Sequence, residues 1–312
     1  MLFRSTTQFG YTSPGPYPLN FFQVNPLAAG NAGVTQSWMS AAGYGNYHAL
    51  QVDFRQKPWH GMQFDVNYTW SHTLGLQPDG QWLGTITEFT FRNLRSSYSP
   101  TLFDLRHVVH ASGTFDLPVG NGKPLLNRRG LVDKFVGGWS LGTIFSYETG
   151  FPFQLSGGFF TFNEYGDGGF ALNGITKAQL QNAVGVFSIS GPYVSDINPK
   201  VLGSPSGVCR SFVTSVCQNV TPGTFGAHIW LYGPRLWNDD LSLTKAIPIT
   251  EKVRFSLQGE FLNVFNHPNW ANPGDGPYYF GSKSIRSSAF GQAGLSNFNG
   301  PRFLELRANI EF

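Results

Sequence analysis

The sequence predicts an all-β fold: an antiparallel transmembrane β-barrel segment of about seven or eight strands, with long loops at one end and short turns at the other. Three observations predict it. Charged side chains make up only 12% of the 312 residues, about half the roughly 25% usual in soluble proteins, while Phe 29, Tyr 12, Trp 8 and Gly 38 take their place. Apolar and polar residues alternate with period two in segment after segment. The links between those segments are short and long by turns.

The first strand runs from Tyr44 to Lys57, with Leu50, Val52 and Phe54 on one side and Gln51, Asp53 and Arg55 on the other. After Pro58-Trp59-His60-Gly61 comes the cleanest one, in which Met62, Phe64, Val66, Tyr68 and Trp70 alternate with Gln63, Asp65, Asn67, Thr69 and Ser71. The pair reads as a hairpin. The third strand sets Val109, Ala111, Gly113, Phe115 and Leu117 against His110, Ser112, Thr114 and Asp116. In the fourth, Trp139, Leu141, Thr143, Phe145 and Tyr147 oppose Ser140, Gly142, Ile144, Ser146 and Glu148. The fifth is short, Leu241 and Leu243 against Asp240, Ser242 and Thr244. The sixth alternates Phe255, Leu257, Gly259 and Phe261 with Arg254, Ser256, Gln258 and Glu260. In the last, Leu304, Leu306, Ala308, Ile310 and Phe312 face away from Glu305, Arg307, Asn309 and Glu311.

Odd-numbered links are mostly short: Pro58 to Gly61, Pro118 to Gly137, Pro248 to Lys252. Even-numbered links are long: Thr73 to Phe103, Gly150 to Trp237, Asn266 to Pro301. In an antiparallel meander alternate links lie at opposite ends of the sheet, so one end carries turns and the other loops, as in outer-membrane barrels. Aromatic residues fall where interfacial girdles belong, Trp139 at the turn end and Tyr68, Trp70 and Tyr147 at the loop end. The other face mixes Asp53, Arg55, Asp65, Asp116, Glu148, Arg254, Glu260, Glu305 and Arg307, signs that pair across strands in a wet interior.

Other classes fit less well. No apolar run approaches the roughly 18 to 20 residues of a spanning helix. The opening Met1-Leu2-Phe3-Arg4-Ser5-Thr6-Thr7-Gln8 has no apolar core of a signal peptide. Lys plus Arg exceed Asp plus Glu by 21 to 18, too little for a nucleic-acid surface. A secreted soluble β-sandwich that binds carbohydrate through exposed aromatics also alternates, and stays open on periodicity alone. The parity of the loop lengths and the terminal Phe312 favour the barrel, because alternate apolar residues before a final aromatic look like a barrel assembly signal formed by Leu304, Leu306, Ala308, Ile310 and Phe312. No esterase or glycosidase motif is present.

Several short runs carry a resemblance: Gly45-Asn46-Tyr47-His48-Ala49-Leu50-Gln51-Val52, Tyr68-Thr69-Trp70-Ser71-His72-Thr73-Leu74, Phe103-Asp104-Leu105-Arg106-His107, Gly137-Gly138-Trp139-Ser140, Thr149-Gly150-Phe151-Pro152-Phe153, and Glu260-Phe261-Leu262-Asn263-Val264-Phe265-Asn266-His267-Pro268. In order and spacing they resemble the barrel of TonB-dependent receptors of the Oar-like, carboxypeptidase-regulatory-like type, over about Tyr44 to Phe312. The resemblance implies residence in the cell outer membrane, insertion by the barrel-assembly machinery, lipid around the wall and an unidentified transported ligand. It implies no catalysis and no cofactor. Such receptors also have a signal peptide, a regulatory β-sandwich, a plug and about 22 strands, so residues 44–312 read as the C-terminal portion of a larger barrel and 1–43 as a loop or partial strand region. The alternative is a stand-alone eight-stranded barrel with Leu2 to Tyr11 as its first strand.

Candidate sites are few. Cys209 and Cys217, eight apart in the longest loop, read as one disulfide worth about 2 to 3 kcal/mol, with His228 the nearest further ligand for a metal alternative. His107 and His110 point to opposite faces on a strand. Gly120-Asn121-Gly122-Lys123-Pro124, near Arg128 and Arg129, lacks the phosphate-loop spacing and reads as a solvated turn. Asn163-Glu164-Tyr165-Gly166-Asp167-Gly168-Gly169 lacks the calcium-loop spacing. The sequons Asn67-Tyr68-Thr69 and Asn219-Val220-Thr221 carry no information in a bacterial outer membrane. The long loops offer Trp82, Phe159, Phe160, Trp230 and Trp270 to a ligand or to one another.

Overall fold

The computed structural model describes residues 43–76, 93–127, 130–158, 160–161, 164–191, 193–207, 209, 211–219, 225–250, 252–275, 281–294 and 300–312. The N-terminal region expected at 1–43, with the strand expected over Leu2 to Tyr11, lies outside them except for Gly43.

Seven strands form one antiparallel meander: β1 (Gly45–Trp59), β2 (Met62–Gly75), β3 (His107–Asp116), β4 (Trp139–Glu148), β5 (Leu236–Pro248), β6 (Arg254–Leu262) and β7 (Phe303–Glu311). Each pairs with its neighbours in chain order, and Ser99–Pro100 adds a short pairing to the end of β2. Among the described residues the sheet is open, with β1 and β7 at its two ends. The β1–β2 hairpin closes on His60 and Gly61, whose φ angles of 50° and 80° put both central residues in the left-handed region. That is the turn whose twist suits paired strands.

The register puts the expected apolar residues on one face. Tyr68, Val109, Tyr147 and Trp237 fall in one row across β2 to β5, and Leu141, Leu243, Gly259 and Leu306 in another. Among the described residues no packed layer covers this face: Phe54 is 54% exposed and Leu306 69%. A soluble sandwich buries one face of every strand. Here the hydrophobic core, built from residues such as Phe153, Leu155, Leu180, Ile197, Leu231 and Ile285, lies wholly in the long links after β4 and β6. From Trp139 to Tyr147 the chain rises about 27 Å at about 3.4 Å per residue. Tilted by about 40°, that height is about 20 Å, close to the roughly 25 Å apolar band of an outer-membrane barrel.

The polar face pairs as its residues suggest. Asn67 Nδ2 donates to Asp53 Oδ1 at 2.9 Å, Ser112 Oγ to Asp65 Oδ1 at 2.7 Å, and Arg307 bridges Glu305 at 2.7 Å and Glu260 at 3.3 Å.

One strand is longer than its pattern. β5 covers Leu236–Pro248 rather than the few residues around Leu241 to Thr244, because Asp239 and Lys245 stand on the apolar face and break the alternation. Local partners make both tolerable. Thr143 Oγ1 donates to Asp239 Oδ1 at 2.7 Å. Lys245, only 5% exposed, lies at the turn end, where Nζ donates to the Gly137 carbonyl and stands 5.4 Å above the Trp139 ring. A cation at the rim that keeps its apolar stem against the wall costs far less than one at mid-depth.

Candidate functional site

The loop end holds the buried polar chemistry. β4 and β5 carry their pairing beyond the sheet, Pro152–Gln154 against Trp230–Tyr232. Gly150 allows the close approach, since a Cβ there would overlap the Gly233 carbonyl oxygen. This ribbon leads into a packed loop body where the links after β4 and β6 interlock. Leu155 N–H donates to Ile229 O at 2.9 Å, Ser156 and Ile285 bond through Ser156 O, and Gln292–Ala293 pairs with Val194–Ser195. A helix, Lys177–Asn182, starts on a Thr176 capping box and buries Leu180 in the same core.

Asp104 fastens this body to the sheet. It is fully buried, and its carboxylate accepts from Thr73 N–H at 2.7 Å, His72 Nδ1 at 3.1 Å to each oxygen, and the Tyr232 hydroxyl. Arg106 Nε stands 3.7 Å away, and its guanidinium lies 5.9 Å from the Tyr232 ring centroid. Four groups from three segments thus converge on one carboxylate. Burial and Asp104 push the Tyr232 phenol above its ordinary range. Beside it, Thr149 Oγ1 accepts from the backbone N–H groups of Arg106 at 3.0 Å and His107 at 3.1 Å.

A second clasp lies over β5 to β7. Asn263 and Asn266 take left-handed φ of 48° and 49°, which asparagine tolerates in turns. Asn263 N–H donates to Asp240 Oδ1 at 2.7 Å, and its amide spans His267 and the Gly300 carbonyl. Asn269 exchanges two 3.1 Å bonds with the Trp237 backbone, while the His267 ring stacks on Trp237 at 4.4 Å. Burial and Arg235 lower the His267 pKa. The Asp, His and Asn of the resemblance runs are therefore loop fasteners. Their spacing made the runs recognisable, but the partner Tyr232 sits 128 positions from Asp104, beyond any local signal.

Asp196 stands apart. Both of its oxygens are buried without a hydrogen bond, and burial followed by repulsion from Asp275 pushes its pKa up to about 8. The folded loop keeps a proton that the unfolded chain releases above an ordinary value of 3.8. Stability of the loop body therefore falls as pH rises between those two values and is level outside them, a loss on the order of a few kcal/mol. Asp196→Asn is expected to flatten this dependence, read as protease resistance of the loop body from pH 4 to pH 9, on the order of that window. An unchanged slope contradicts the assignment.

The remaining sequence candidates are placed as follows. Cys209 is joined by a disulfide to Cys217, the middle residue of the strand Val216–Gln218. Trp70 and Tyr68 stand on the apolar face near His107, whose Nδ1 lies 2.9 Å from the Tyr68 hydroxyl. Trp139 Nε1 donates to Phe135 O at 3.0 Å at the turn end, and Tyr147 pairs with Trp237, an aromatic of the same row that the broken alternation of β5 hides in the sequence. Leu304, Leu306, Ala308 and Ile310 share the apolar face of β7, and Phe312 follows the strand, fully open to its surroundings. His107 and His110 lie on opposite faces. Trp230 is buried in the loop body rather than offered to a ligand, and Trp270 is half-buried. Trp82, Phe159, Asn163, Arg128 and Arg129 lie outside the described residues. Among the described residues no three His, Cys, Asp or Glu side chains gather as a metal site. An open concavity of about 460 Å³ on the loop body is lined by Asn173, Gln179, Thr214 and Ser215 with Ile175 and Val201, and its polar side chains are engaged in hydrogen bonds within the loop body.

The chain matches the family described as outer membrane beta barrel domain over residues 5–305. No curated protein matches it. An antiparallel meander with an apolar face that no described residue covers, and a match over nearly its whole length, make this chain a member of the outer membrane β-barrel domain family, resident in the cell outer membrane.

Proposed function

We propose that this chain is the C-terminal part of the barrel of a TonB-dependent receptor of the Oar-like type. The observation that carries the reading is that the sheet of the described residues is open. In lipid, every unpaired backbone group of an edge strand costs several kcal/mol, so β1 and β7 call for further strands beside them. The barrel-assembly machinery inserts the whole, outer-membrane lipid surrounds it, and a plug and the rest of the barrel are its partners. The interlocked loops form the extracellular vestibule, which positions a transported ligand without catalysing a reaction on it. The resemblance runs around Asp104, Thr149 and Asn263 support this, since they hold the loops to the wall.

The test is the size of the native species. An antiserum against residues 150–237, applied to outer membranes of the source cells, is expected to detect a heat-modifiable polypeptide several times larger than 34.4 kDa, or a 34.4 kDa chain that co-purifies with the remaining barrel. A lone, heat-modifiable 34.4 kDa monomer would instead establish the eight-stranded barrel closed by Leu2 to Tyr11.

A further inference from the structure

We infer that the turn between β3 and β4, residues 118–137, is a foot that rests on the anionic phospholipid surface of the periplasmic leaflet. In sequence the turn carries Lys123, Arg128, Arg129 and Lys134 against Asp133 alone. That excess of three equals the net charge of the whole chain, +3, so the rest of the molecule is balanced. Asp133 is occupied inside the turn, where its Oδ1 accepts from Asn121 N–H at 2.6 Å, and Asp116 at the end of β3 stands 3.9 Å from Lys123, an exposed pair that water and salt screen.

Among the described residues, the same turn displays apolar side chains that nothing covers. Phe135 is 76% exposed, and Leu125 and Leu126 57% each. Leu126 is held at φ 52°, a conformation a leucine rarely adopts. Exposed leucine and phenylalanine interleaved with cations is the composition of segments that lie in a membrane interface, apolar groups at the acyl boundary and cations at the phosphates.

Placement decides between lipid and open water. The foot is tied to the wall by Trp139 Nε1, which donates to Phe135 O at 3.0 Å, and by Lys245 Nζ, which donates to the Gly137 carbonyl. Trp139 and Lys245 both belong to the lipid-facing side of the sheet, at its turn end. The short helix Leu131–Val136 is therefore held beside the outer wall at headgroup level, continuous with the apolar band. The inference goes beyond transport and rests on the barrel's orientation, turns towards the periplasm.

The test uses the full chain in vesicles of phosphatidylethanolamine and phosphatidylglycerol, with the native cysteines kept oxidised. Phe135→Cys carries a nitroxide, and its collisions with oxygen and with a water-soluble nickel complex are compared. Phe145→Cys serves as the lipid reference and Lys252→Cys, on another turn, as the water reference. At position 135 oxygen access is expected to exceed nickel access several-fold, close to the lipid reference. Replacing phosphatidylglycerol by phosphatidylcholine, or adding Lys123→Gln with Lys134→Gln, should move the label towards the water reference. A label at 135 that matches position 252 in anionic vesicles overturns the foot. Lipid access that ignores both changes overturns its preference for anionic lipid. If Phe145→Cys itself reads as aqueous, the barrel orientation fails and the foot with it.

Discussion

Leu306→Arg is expected to abolish assembly in the outer membrane, while Glu305→Gln leaves it intact. Leu306 lies midway along β7, directly opposite Gly259, and covers the space that Gly259 leaves on the apolar face. A guanidinium there faces hydrocarbon, at a cost of about 2 to 4 kcal/mol at the midplane. That is a large share of the roughly 5 to 15 kcal/mol that holds a typical protein folded. Its neighbour Glu305 points to the polar face, opposite Glu260, and the two acids share Arg307. Removing one negative charge there relieves repulsion as it weakens an ion pair, so the two effects offset. Heat-modifiable migration of membrane fractions reads the result. Equal tolerance of the two changes would mean that the register is wrong by one residue.

Asp104 carries the second large effect. Asp104→Leu leaves the Thr73 N–H, the Tyr232 hydroxyl and His72, all half-buried, without their shared acceptor. Breaking a buried charged cluster by deleting one partner costs about 3 to 5 kcal/mol. The loss falls on the attachment of the loop body, not on the strands. Proteolysis should cut within residues 150–237 while the heat-modifiable sheet persists. Asp104→Asn keeps the shape and one acceptor oxygen, so its effect should be smaller, about 1 to 2 kcal/mol. Variants as protease-resistant as the parent would show that the loop body stands without this anchor.

The strands were legible because each is amphipathic over its whole length, and period-two patterning survives any context. β5 was the exception: Asp239 and Lys245 stand on its apolar face, and only Thr143, Trp139 and the Gly137 carbonyl explain why they are accepted. The loop body was not legible as a packed unit. Its core joins Phe153 and Leu231 to Ile285 and Phe290 through pairings such as Val194–Ser195 with Gln292–Ala293, and short strands of two to five residues leave no periodic trace. Trp230 shows the consequence, an aromatic in a polar loop that belongs to a core. Asp104 was visible only as part of a resemblance, because three of its partners come from β2 and from the far end of another link.

The central claim is that one face of the sheet meets lipid and the other water. Single cysteines along β4 test it most directly, in intact outer membranes treated with a membrane-impermeant maleimide under non-reducing conditions. Ser140→Cys, Ile144→Cys and Ser146→Cys are expected to react, and Leu141→Cys, Thr143→Cys and Phe145→Cys to stay unlabelled. Reactivity without a period of two, or with the opposite phase, would contradict the account.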